Sequence, residues 1–136
     1  MNWVLYALLG MVFFSGMNLI FKRLTADLKP NVLLLFIFIF GALFYLIDSV
    51  YTKTSLNLNY KLVLLLLAAA FLSYLGNLFY VKSLSLSPNP GHSAAINSLQ
   101  IILITIGAVF LFGSEITIKN LIGIMLGIIA IILLSL

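Results

Sequence analysis

The chain has 136 residues, of which 64% are hydrophobic and only 7% charged, against roughly a half and a quarter in soluble globular domains. A soluble fold of this size has no interior large enough to hide that much apolar surface. The net charge of +4 comes from lysines and arginines scattered between apolar runs, which form no patch able to follow a phosphate backbone and so exclude nucleic acid, while the lack of cysteine excludes disulfides, thiolate metal sites and cysteine nucleophiles.

Five apolar runs follow in order: Trp3–Phe21, Val32–Ile47, Leu62–Val81, Ser93–Phe112 and Leu121–Leu134. Each is near the ~20 residues that cross a hydrocarbon core. The short second and fifth are expected to extend into their flanks, giving spans over about 3–21, 32–50, 62–81, 93–112 and 118–135. Lipid offers backbone groups no partner, so these runs are helices, and the alternation of a barrel strand is absent. The expected fold class is all-α, a bundle of five transmembrane helices forming one domain over residues 1–136. The first run is followed by Lys22 and Arg23 and lacks a basic leader and a small-residue exit, which reads as a retained span.

The connections Lys22–Asn31, Asp48–Lys61, Lys82–His92 and Gly113–Asn120 are short and hold nearly all the charge. The first and third carry Lys22, Arg23, Lys29 and Lys82; the second and fourth carry Lys53, Lys61 and Lys119. Orientation follows that asymmetry, and a difference of one residue allows either topology, or both. Trp3, Tyr6, Tyr45, Tyr51, Tyr60 and Tyr80 fall where rings anchor at the headgroup level.

Polar side chains at membrane depth cost free energy unless they face protein or a wet cavity. Three helices carry them at helical spacing: Ser15 and Asn18 on the first, Ser73, Asn77 and Tyr80 with Tyr74 adjacent on the third, and Ser93, Asn97 and Gln100 with Ser98 and Thr105 nearby on the fourth. Helices two and five are nearly smooth. That division suggests three inner helices around a pathway and two outer ones, although interhelical hydrogen bonding is the plain alternative for any single residue. On the fifth helix Gly123-x-x-x-Gly127, continued by Ala130, offers close packing to another helix.

No charged residue lies at the centre of a span. Glu115 stands just before Thr117, a residue able to cap the fifth helix. His92, the single histidine, has no neighbouring carboxylate or cysteine and makes neither a metal site nor a triad. No phosphate loop, nucleotide fingerprint, carboxylate pair or activated serine is present, so neither enzyme activity nor a cofactor is expected.

The proline-broken turn at Pro88, Pro90 and Gly91, the stretch Phe112-Gly113-Ser114-Glu115-Ile116-Thr117 and the Gly123-x-x-x-Gly127 that follows resemble the end of an EamA-type half-unit of the drug/metabolite transporter superfamily. The resemblance covers the whole chain and is specific in its last part; the small multidrug resistance proteins resemble the same final hairpin. It implies that a lone unit pairs with a second copy of itself, antiparallel in an inverted-repeat plan, or with a related half-unit, and that inner helices of both form the pathway. The first helix reads Phe13-Phe14-Ser15-Gly16, without the glutamate of small multidrug resistance proteins, so proton-driven export of cationic drugs is not implied. Gln100-Ile101-Ile102 stand where many EamA units have a proline.

The leading expectation is a multi-pass cell-membrane transporter subunit that moves a small polar or zwitterionic metabolite by alternating access as a dimer in membrane lipid. Asn18, Asn77, Asn97 and Gln100 would orient the solute, with Ser15, Ser73, Tyr74 and Tyr80 completing the lining. A non-transporting subunit that docks a partner protein, or a subunit of a lipid-linked sugar flippase, is the alternative.

Overall fold

The computed structural model describes residues 3–55 and 57–135, and the regular elements among them are all helices: α1 (Trp3–Leu24), α2 (Pro30–Tyr51), α3 (Tyr60–Leu86), α4 (Pro90–Asn97), α5 (Gln100–Phe112) and α6 (Ile118–Ser135). The expected all-α class holds. The chain divides into two compact units, Met1–Leu86 and Ser87–Leu136.

In the first unit, α1 and α2 each have 22 residues, about 33 Å of helix at 1.5 Å per residue. Lys22 and Arg23 close α1, where cations suit the helix dipole. Pro30 then opens α2, its fixed φ suited to a first helical position. The end of α2 is a Schellman motif: Lys53 N–H donates to Val50 O at 3.3 Å and Thr54 N–H to Ser49 O at 3.0 Å. Lys53 itself takes φ 52°, the left-handed position usually given to glycine. Asn59 opens α3, its Oδ1 accepting from Leu62 N–H at 2.9 Å. The helix runs on past Val81 to Leu86, where Pro88 follows.

α3 packs against both α1 and α2, and the buried cluster lies at one end of this unit. Phe21 from α1, Leu33 and Leu34 from α2, and Val81 and Leu84 from α3 form it, flanked by Met17, Leu24, Ile37, Leu78 and Tyr80. These are the last turns of α1 and α3 and the first of α2, so α1 and α3 run parallel, with α2 antiparallel to both. Lys22 ties the same end, its Nζ donating to Leu84 O at 2.9 Å and Ser85 O at 3.4 Å; α3 thereby gains partners for C-terminal carbonyls that lack helical ones. The start of α1, the end of α2 and the start of α3 make the opposite end, where Trp3, Tyr6, Tyr45, Tyr51 and Tyr60 are exposed. Five rings gathered in the turns nearest one end have the distribution of an interfacial belt.

In the second unit, Asn89 Oδ1 accepts from Gly91 N–H at 2.8 Å and Pro90 sits in the first turn of α4, so the proline-rich segment is a built helix start. α4 and α5 together make one apolar stretch, Pro90–Phe112, long enough to span. The fourth span is not one regular helix. It is interrupted at Ser98 and Leu99, whose ψ values are −16° and −15°, and Leu99, Ile101 and Ile102 donate to the third residue back instead of the fourth. This is a 3₁₀ turn. Ser98 Oγ also donates to Ala94 O at 2.8 Å, a back-bond that bends helices. α5 ends at Gly113 with φ 62°, and α6, which packs against α4, begins where Thr117 Oγ1 accepts from Asn120 N–H at 3.3 Å.

Candidate functional site

The polar residues of the first unit continue the seams that form its core. On α3, Ser73, Asn77, Val81 and Leu84 follow one another at four, four and three residues and share a face; Val81 and Leu84 are fully buried in the cluster. On α1, Asn18 stands one turn before buried Phe21, with Ser15 a turn before that. Away from the clustered end, therefore, both seams change from apolar to polar. Asn18 and Asn77 lie at similar levels, about 4.5 Å and about 6 Å along their helices from the core residues Phe21 and Val81 that follow.

Their hydrogen bonding differs. Asn77 Nδ2 donates to Ser73 O at 2.8 Å and Ser73 Oγ at 3.2 Å, so this side chain is held by its own helix with its Oδ1 turned elsewhere. Ser15 Oγ donates to Met11 O at 2.7 Å. Asn18 is half-buried, and its Oδ1 is shielded from solvent with no hydrogen-bond partner among the described residues. Leaving an acceptor in that state costs about 1–3 kcal/mol. Tyr74 is exposed, while Tyr80 packs against the apolar cluster.

In the second unit, Asn97 and Gln100 stand on either side of the 3₁₀ turn, both exposed. Ser93, one turn earlier, is buried. Thr105 Oγ1 donates to Ile101 O at 2.7 Å. The interruption between Asn97 and Gln100 has no proline or glycine behind it, and the only sequence signal is the pair Asn97-Ser98, two residues that compete for backbone hydrogen bonds.

The charged groups lie outside these seams. Arg23 pairs with Asp27 at 3.2 Å, both exposed, and Lys22 serves α3. Among the described residues no group of His, Asp and Glu side chains could hold a metal ion. Gly123 and Gly127 on α6 have open space where a side chain would stand, a Cβ at either meeting nothing within 4 Å.

Four helices long and apolar enough to cross a bilayer, with the shorter apolar helix Ile118–Leu133, define a multi-pass membrane protein. The chain belongs to the EamA-like transporter family, whose family model matches residues 1–136. That places it among EamA-type units of the drug/metabolite transporter superfamily and gives it a transporter-type role. No curated protein and no solved structure matched the chain in the same comparisons.

Proposed function

We propose that the chain is half of a dimeric carrier in the cell membrane that moves a small polar or zwitterionic metabolite by alternating access. The observation that carries this reading is Asn18: a shielded amide oxygen at membrane depth with no partner among the described residues is open to a donor from elsewhere. A solute with ammonium, hydroxyl or amide hydrogens supplies one. Asn77, steadied by Ser73, offers a second amide at a similar level. Neutral amides orient a zwitterion by hydrogen bonding without fixing a net charge, which suits spans that carry no titratable acid at their centres.

The apolar cluster at one end of the first unit closes the seam below the polar level, leaving the other direction for entry. In the second unit, the 3₁₀ turn between Asn97 and Gln100 is where the fourth span flexes as access alternates, since such turns mark hinges. The glycine face of α6 is the contact with the second copy.

Uptake of a panel of labelled zwitterionic amino acids and polyols into proteoliposomes tests the reading. Asn18→Leu is expected to abolish uptake of the transported solute while leaving the detergent melting temperature unchanged or higher, because the leucine removes an unpaired buried acceptor. A variant that loses stability and keeps uptake would instead make Asn18 a purely structural residue and overturn the site.

A further inference from the structure

A second feature of the first unit has no part in the solute route. A groove of about 390 Å³ lies at the clustered end, lined by Lys29, Pro30 and Asn31 at the start of α2 and by Leu78, Phe79, Lys82, Ser85 and Leu86 on the last turns of α3. Its position follows from the core: Val81 and Leu84 turn inward, so Leu78, Lys82, Ser85 and Leu86 fall on the flank of α3 that meets α2. Lys29 is fixed at the other rim, its carbonyl accepting from Val32 and Leu33 N–H at 3.0 Å each.

The two ammonium groups at this groove are uncommitted. Of the four cations at this end, Lys22 is bound to α3 carbonyls and Arg23 to Asp27, which also uses the one acid there. Lys29 and Lys82 have neither ion pair nor side-chain hydrogen bond among the described residues, and both are exposed. Beside them Phe79 and Leu86 are exposed apolar surface. Two cations and two small polar side chains on one part of a groove, with aromatic and aliphatic walls on the other, match an amphiphile with an anionic head.

We infer that this groove binds an anionic phospholipid of the surrounding bilayer, its phosphate held between Lys29 and Lys82 and the start of an acyl chain lying on Leu78, Phe79 and Leu86. The site stands at a helix end, the depth at which headgroups lie and lysines reach the interface. It is independent of the solute reading, because none of its residues belongs to the polar seams.

The test is native mass spectrometry of the full chain in detergent, titrated with phosphatidylglycerol or with phosphatidylcholine of the same acyl chains. Wild type is expected to keep a one-to-one phosphatidylglycerol adduct and to hold phosphatidylcholine weakly. Lys29→Gln with Lys82→Gln should lower phosphatidylglycerol affinity by at least about tenfold, Lys29→Arg with Lys82→Arg should keep it, and Lys61→Gln, at the opposite end, should leave it unchanged. Phe79→Ala should weaken the adduct without altering the headgroup preference. Equal binding of the two lipids, an adduct indifferent to the double glutamine variant, or displacement of the lipid by millimolar glycerol phosphate would each overturn the inference, the last by showing a free-anion site.

Discussion

Three residues of the first unit separate what holds the chain together from what serves transport. Lys22 belongs to the first group: it is half-buried and donates to two carbonyls of α3, so Lys22→Met should lower unfolding stability by about 1 kcal/mol, seen as a lower melting temperature in detergent. Lys53 is a position where the chain is not optimal. Its left-handed φ of 52° costs a side-chain-bearing residue about 1–2 kcal/mol, part of which glycine returns as chain entropy. Lys53→Gly should therefore raise stability by about 0.5–1 kcal/mol in the same melting experiment. Asn18 belongs to the second group, since its oxygen makes no bond among the described residues. Residue types identified these amides as unusual at membrane depth, but their inequality was hidden in the sequence. Only the packing shows that Asn77 is satisfied by Ser73 and Asn18 is not.

At the level of elements, the fourth span separates expectation from structure most clearly. Hydropathy alone locates an apolar run over 93–112, and the helix-starting turn at Asn89–Gly91 follows from residues with strong local preferences. The break at Ser98–Leu99 does not, because no proline marks it and its cause is competition among hydrogen bonds: an asparagine and a back-bonded serine in a helix whose later residues are mostly apolar. The amides of Ile101 and Ile102, donating over the shorter 3₁₀ spacing, should exchange with deuterium faster than those later in α5. Ser98→Ala, which deletes the back-bond, should slow that exchange; equal rates before and after would mean that the serine does not hold the turn open. The length of α3 is similar. Lys82 marks the end of its apolar run, yet the helix continues to Leu86 because Lys22 and the core support its last turn, a tertiary cause that local sequence does not carry.

For the whole molecule, five apolar runs and their short connections were enough to read an all-α membrane chain, and the final hairpin enough to read its family. Which faces meet protein was not legible, because lipid is as apolar as a helix interface and leaves no pattern to distinguish them. Hence the core at one end of the first unit, built from Phe21, Leu33, Leu34, Val81 and Leu84, could not be told from other leucines and phenylalanines nearby. The proposed pairing of two copies makes its own prediction: a Cβ at Gly123 or Gly127 meets nothing within 4 Å among the described residues, so Gly123→Leu with Gly127→Leu should convert dimers to monomers in detergent by mass photometry without lowering the melting temperature. The claim beneath the transport reading is that the polar seam of α1 opens to water inside the bilayer. As the chain contains no cysteine, single Asn18→Cys and Ile20→Cys variants in intact vesicles can be treated with a membrane-impermeant thiol reagent, the second residue lying on the opposite side of α1 and exposed outside the core. The account predicts labelling at position 18 and none at position 20; no labelling at 18, or equal labelling at both, would contradict it.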